Sequence, residues 1–243
     1  DLNLIKCAAK SKKEIILSTG MATLKEIELG VKTIKKHTNN FSLLHCISSY
    51  PTKLQDLNLK TLAFLKKRFK CDVGLSDHSM LFKGKINPLF PYQLCKEQKV
   101  KYIEIHTTLS RKEDKKLMRK NKGGFDWAFS KEISEVKAIS DYLKQDQKLL
   151  IPKKIKKIML GKNKKNFLKS EYSTRLLRPS IWITKKIKKG SKIVFKENHE
   201  GNIDTLRPSD GLNIKYLDFI RNSKASKDLI AGTPLKSEDI VKR

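Results

Sequence analysis

The stretch "GLSDHS" at 74–79 ends a short apolar run with a hydroxyl, a carboxylate and an imidazole, and "YIEIHTT" at 102–108 ends a later run with Glu104 and His106. A Ser-Asp-His trio just past a strand can cap the next helix, bind a metal or serve catalysis. Two earlier runs also finish in polar residues: "EIILST" (14–19) in Ser18 and Thr19, and "FSLLHCISS" (41–49) in Ser48 and Ser49. Four polar run-ends in succession point to a shared site rather than to four unrelated helix caps.

The segments between these runs must position them. Leu24, Ile27, Val31 and Ile34 recur at helical spacing behind a Thr23/Glu26 capping-box pattern. Leu57, Leu59, Leu62, Leu65 and Phe69 give a second apolar face, 89–97 a weaker helix, and Ile133, Val136, Ile139 and Leu143 a further face. Strand and helix alternating in this way predict an α/β fold with a parallel sheet and helical crossovers, in which ligands bind at the carboxyl ends of the strands.

The chain has 243 residues, a mass of 28.0 kDa and 38% hydrophobic residues, enough for a sizeable core. Its formal charge of +29 suggests nucleic acid or an acidic surface as partner. The lysines are spread along predicted helices, however, and outnumber arginine, the better bidentate phosphate and base reader, which argues against nucleic acid. Cys7, Cys46, Cys71 and Cys95 form no CxxC pair, so they are expected to be buried thiols of a reducing compartment rather than a zinc site or disulfide framework. No apolar run approaches the roughly 18 residues of a membrane span and no signal-peptide order opens the chain, so a cytoplasmic protein without membrane contact is expected. Residues 1–145 hold the strand-helix units. Residues 146–176 read as a lysine-dense linker with a short helix and a solvated charge run, and 177–243 as a small β-rich module with two similar phrases, "ITKKIKKGSKI" and "ASKDLIAGTPL".

The ordered set "ILSTGMATLKEIE", "LLHCISSYPT", "GLSDHS", "YIEIHTT", "GFDWAFS", "RPSIWITKKIKKG" and "LRPSDGL" resembles the sialic acid synthase family, which includes the N-acetylneuraminate, legionaminate and pseudaminate synthases. The resemblance implies a TIM barrel followed by a small antifreeze-like (SAF) domain, in a homodimer whose SAF domains are swapped over the partner's barrel. It also implies condensation of phosphoenolpyruvate with an N-acetylated amino sugar, N-acetylmannosamine or a diacetamido-trideoxy hexose, to a nine-carbon 2-keto acid and phosphate, with Mn²⁺ or Mg²⁺. On the matching motifs, His78 and His106 become the two protein metal ligands. Ser48 and Ser76 would hold phosphoenolpyruvate; Tyr50, Glu104 and Asp126 would face the sugar, with Glu104 able to orient water near the metal; and Arg207 would reach the acetamido group from the partner's SAF domain. His37, His45 and His199 are expected to be structural or on the surface.

The chain departs from the family at Ile105, where a basic residue is usual, and over "MLFKGKINPLFPYQLCKEQK", where a small-residue helix is usual. The family's first strands, with their phosphate-binding lysines, have no counterpart. The expected architecture is therefore a partial TIM barrel of four C-terminal strand-helix units followed by the SAF domain, and the chain alone is expected to bind phosphoenolpyruvate poorly, to make no nonulosonic acid, and to aggregate or depend on an N-terminal piece. The competing reading is a non-catalytic carbohydrate- or polyanion-binding SAF-domain protein, which would need no metal.

Overall fold

The computed structural model describes residues 1–122, 124–196, 198–221 and 223–241. The chain divides into two compact units, residues 6–171 and residues 172–243 together with 1–5. Helix α1 (Leu2–Lys10) opens the chain.

In the larger unit β1 (Ile15–Ser18), β2 (Phe41–Cys46), β3 (Asp72–Asp77) and β4 (Tyr102–Ile105) form one parallel sheet in the order β1-β2-β3-β4. The crossovers are α2 (Leu24–Lys35), α3 (Lys60–Phe69) and α4 (Phe90–Glu97). Thr23 and Glu26 close the capping box expected of them, each side chain accepting from the other's backbone N–H. All of β2 and all of β3 after Asp72 are buried, as parallel strands covered on both faces must be, whereas the edge strands β1 and β4 stay half exposed. Leu43, Leu44, Val73 and Leu75 are buried, as are Leu59, Leu62 and Leu65, where α3 packs on β2 and β3.

The fourth apolar run divides: β4 stops at Ile105, and β5 (Thr107–Thr108) pairs in parallel with β6 (Lys131–Glu132) in a separate two-stranded sheet. Helix α5 (Arg111–Met118) lies between β5 and β6 in sequence, and α6 (Ile133–Lys144) follows β6 directly. Ile133, expected on the inward face of α6, is 57% exposed because it is the first residue of the helix; Ile139 and Tyr142 bury instead, against Tyr92 of α4.

Of the stretch 146–176 expected to be a solvated linker, residues up to 171 pack into the larger unit and 172–176 belong to the smaller one. Helix α7 (Lys153–Leu160) buries Met159 completely, and the Met159 carbonyl accepts Leu59 N–H at 2.9 Å. Lys164 and Glu171 are buried as an ion pair, so this part of the charge run does not face water.

The smaller unit holds α8 (Tyr172–Leu176), the antiparallel pair β7 (Ser180–Ile183) and β8 (Ile203–Leu206), and α9 (Leu217–Ile220) around Ile181, Ile183, Ile187, Ile193 and Leu229. The two similar phrases pair with each other. Ile187 and Leu229 exchange both backbone hydrogen bonds, Gly190 N–H donates to Ala225 O at 2.9 Å, and Gly232 N–H donates to Ile183 O at 2.8 Å. Ile183, Ile187 and Gly190 thus have Ala225, Leu229 and Gly232 as symmetry mates. Both glycines turn at positive φ, +79° and +82°, which side-chain-bearing residues rarely adopt.

Candidate functional site

Side chains alternate along a strand, so Ser76 and His78 leave β3 on one side and Asp77 on the other; Glu104 and His106 repeat the arrangement on β4, where Ser76 is in register with Glu104. This explains the Ser-Asp-His order. Asp77, facing away, accepts Ser79 N–H at 2.8 Å and the Tyr92 hydroxyl at 2.7 Å, and pairs with Lys131 Nζ at 3.2 Å. These partners overcome burial and hold its carboxyl below the usual carboxylate range.

His78 and His106 come together with ring centroids 5.0 Å apart. Tyr50 lies edge-on to His78 at 4.6 Å, and Phe129 packs against His78, His106 and Tyr50 at 5.6, 4.9 and 5.1 Å. His78 Nδ1 is 3.0 Å from Ile47 O, an atom that can only accept, so Nδ1 carries a proton and in the neutral ring Nε2 keeps its lone pair. His106 Nδ1 faces Asp126 Oδ2 at 3.3 Å, a second imidazole oriented by an oxygen. Burial pushes the His78 imidazole down, but Cys46 Sγ at 3.9 Å and the Ile47 carbonyl outweigh it and raise its pKa. Burial and then the neighbouring His78 lower that of His106.

Both imidazoles therefore have Nδ1 engaged by an oxygen, the arrangement that fits a pair of Nε2 metal ligands. Among the described residues no group of three or more His, Cys, Asp or Glu gathers as a metal site.

The remaining expected residues lie around this pair, with one exception. Ser76 Oγ donates to Glu104 Oε1 at 2.6 Å, which commits the hydroxyl proton to the carboxylate. Ser48 is buried past the end of β2, its Oγ 3.6 Å from Cys46 Sγ and its N–H bonded to Glu171 at 2.9 Å. A Cβ on Gly20 would fall 2.1 Å from Ser48 Oγ, so only glycine lets the β1 and β2 ends approach this closely. Asp126 is exposed in the short turn Phe125–Ala128. Arg207 belongs to the other unit, exposed immediately after β8.

Three residues of the site escape the sequence reading. Phe129 is the ring that three site side chains share. Lys131 is buried between the two histidine-bearing loops. Glu171 Oε1 accepts Met21 N–H and Ser48 N–H, each at 2.9 Å, and so joins the ends of β1 and β2. "AFS" sits inside a quoted motif, but neither lysine-rich surroundings nor a carboxylate 123 positions from its partner offers a local signal.

A parallel sheet with paired imidazoles at its carboxyl end is the arrangement of a ligand-binding α/β protein. The chain belongs to the NeuB family, whose profile matches residues 1–154. It is 33% identical over 98% of its length to the pseudaminic acid synthase of Campylobacter jejuni subsp. jejuni serotype O:23/36 (strain 81-176), covering 61% of that protein. It is 35% identical over 90% of its length to the N,N'-diacetyllegionaminic acid synthase of C. jejuni serotype O:2 (strain ATCC 700819 / NCTC 11168), covering 58% of it. The crystal structure of spore coat polysaccharide biosynthesis protein SpsE from Bacillus subtilis superposes with a TM-score of 0.78 at 25% identity, over 100% of this chain and 65% of that one. The chain thus spans about three fifths of the length of the curated relatives it matches.

Proposed function

We propose that this chain carries the metal- and sugar-facing side of a nonulosonic acid synthase, which condenses phosphoenolpyruvate with a 2-acetamido hexose to a nine-carbon 2-keto acid and phosphate. The observation that supports it most is the His78/His106 pair, both Nδ1 atoms facing oxygens at the strand ends of a NeuB-family sheet. A divalent cation, Mn²⁺ or Mg²⁺, bound there would polarise the sugar's aldehyde carbonyl toward the enol carbon of phosphoenolpyruvate.

The chain's own groups orient and enclose. The Ile47 carbonyl orients the His78 imidazole, and the Asp126 carboxylate lies 3.3 Å from His106 Nδ1. Tyr50 and Phe129 place aromatic rings along one side of the pair. Glu104, held by Ser76, is placed to accept a hydrogen bond from a sugar hydroxyl or a water. Ser48 supplies a hydroxyl for an anionic oxygen of phosphoenolpyruvate. In this reading residues 177–243 form the SAF domain and Arg207 serves the partner's site in a homodimer; phosphoenolpyruvate as co-substrate places the reaction in the cytoplasm.

The test is Mn²⁺ binding, followed by electron paramagnetic resonance, together with phosphate release from phosphoenolpyruvate by the complete gene product. Binding that is lost in both His78→Ala and His106→Ala, and sugar-dependent phosphate release lost with it, is the expected result. Turnover unchanged in both variants would remove the metal assignment and favour the binding-protein reading.

A further inference from the structure

Lys131 is one of many lysines in the chain, yet its side chain is only 3% exposed. Its ammonium donates to Ser79 O at 2.6 Å and Phe129 O at 3.3 Å, and pairs with Asp77 Oδ2 at 3.2 Å. Its own backbone N–H donates to His106 O at 2.7 Å. One residue therefore grips both neighbours of His78 with its side chain and His106 itself with its main chain. The third bond fixes the carbonyl of Phe129, whose ring lies against both imidazoles. The remaining freedom of the His78 loop is removed by Thr52 N–H, which donates to His78 O at 2.9 Å.

We infer that Lys131 is a positioning residue that sets the separation and mutual tilt of His78 and His106, and with them the geometry of the divalent cation site. The inference rests on the metal reading above. An ammonium suits the task because it presents three donors to oxygens arriving from different segments, here a carboxylate and two carbonyls. Methionine has similar length and apolar stem but no donor, so Lys131→Met deletes the grip on Ser79 while the backbone bond to His106 survives. That variant also strands Asp77 as a buried unpaired charge and will lose stability for that reason alone. The double variant Lys131→Met with Asp77→Asn removes both charges and separates the two effects.

The experiment compares the parent chain, His78→Ala, Lys131→Met and the double variant for thermal midpoint and Mn²⁺ affinity. The double variant recovers stability relative to Lys131→Met yet binds Mn²⁺ about 10–100-fold more weakly than the parent, the range found when groups orienting metal ligands are removed. Parent-like affinity in a folded double variant overturns the inference while leaving the metal reading intact. Absence of His78-dependent Mn²⁺ uptake by the parent overturns the metal reading instead. In that event the positioning role is read without metal, from nuclear Overhauser contacts linking the His78, His106 and Phe129 rings. These contacts disappear in the double variant if Lys131 sets the geometry; their persistence refutes it.

Discussion

The Lys164 ammonium lies 2.9 Å from Glu171 Oε1 with the two side chains 3% and 0% exposed, inside a stretch whose composition promises only solvated charge. Both members have further partners. Lys164 also donates to Cys46 O at 2.9 Å, while Glu171 accepts the N–H groups of Met21, Ser48 and Leu168. Through these bonds the segment after α7 fastens the ends of β1 and β2.

Breaking the pair from one side leaves a buried charge unpaired. Glu171→Leu and Lys164→Met should each cost about 3–5 kcal/mol, and the double replacement much less. Urea denaturation of the three variants measures this; equal losses in single and double variants would show that the charges act independently.

The same carboxylate predicts an acid limb. Burial raises the Glu171 pKa, but Lys164 and the backbone donors prevail and place it below the ordinary 4.5. A depressed carboxylate contributes stability that is complete above its unfolded value and fades as pH falls through the folded one. The contribution should therefore persist down to about pH 4.5 and vanish below it, and Glu171→Gln should flatten that limb in a pH series of denaturation midpoints.

His45 acts at higher pH. It is fully buried, its Nε2 is 2.7 Å from Leu57 O, and burial above all lowers its pKa to about 4. The unfolded chain binds a proton below pH 6.5 that the folded chain refuses until about 4, so stability declines across that window as pH falls. The decline should total about 3 kcal/mol by pH 4. His45→Gln, which keeps a donor for Leu57 O, should abolish it; an unchanged slope would mean that His45 is not the group responsible.

Gly20→Ala tests the close approach behind Ser48. The new carbon would meet Ser48 Oγ and Cys46 Sγ at 2.1 and 2.9 Å, so one of them must move. A loss of about 1–3 kcal/mol is expected from such overpacking. Weaker phosphoenolpyruvate binding should accompany it if the Ser48 hydroxyl holds that substrate, and calorimetric titration of the complete gene product reads this directly.

The proposed role of Arg207 predicts complementation. Mixed dimers of Arg207→Ala and His78→Ala, each inactive alone, should recover part of the condensing activity because one composite site is whole. No recovery despite demonstrated subunit exchange would count against an arginine acting across a dimer.

The local patterns were legible. Apolar runs and helical spacing located all four strands of the main sheet and its crossover helices, and Thr23/Glu26 marked a helix start that the structure closes with both bonds. His78, His106, Tyr50 and Asp126 were found through ordered motifs, and the fold brings them together. Lys131, Lys164 and Glu171 were not, because the bonds that tie them to the strand ends reach 52 to 150 positions along the chain. In a chain with 54 lysines and arginines, a buried lysine looks like every other lysine until its oxygens are known. Ile133 shows the converse error: its spacing is right, but the first turn of a helix has no neighbour to cover it.

The crossed pairing of the two phrases in the smaller unit sets a clock on synthesis. Ile183 waits for Gly232 and Thr233, and Ile181 for Leu235, before its hydrogen bonds close. At about 5–20 residues per second, the intervening segment leaves the ribosome over roughly 2 to 10 s. Throughout that interval the apolar side chains of β7 lack the second half of their shell, so they are open to holdase chaperones on the nascent chain. A stall in translation between residues 206 and 225 would prolong the exposed state.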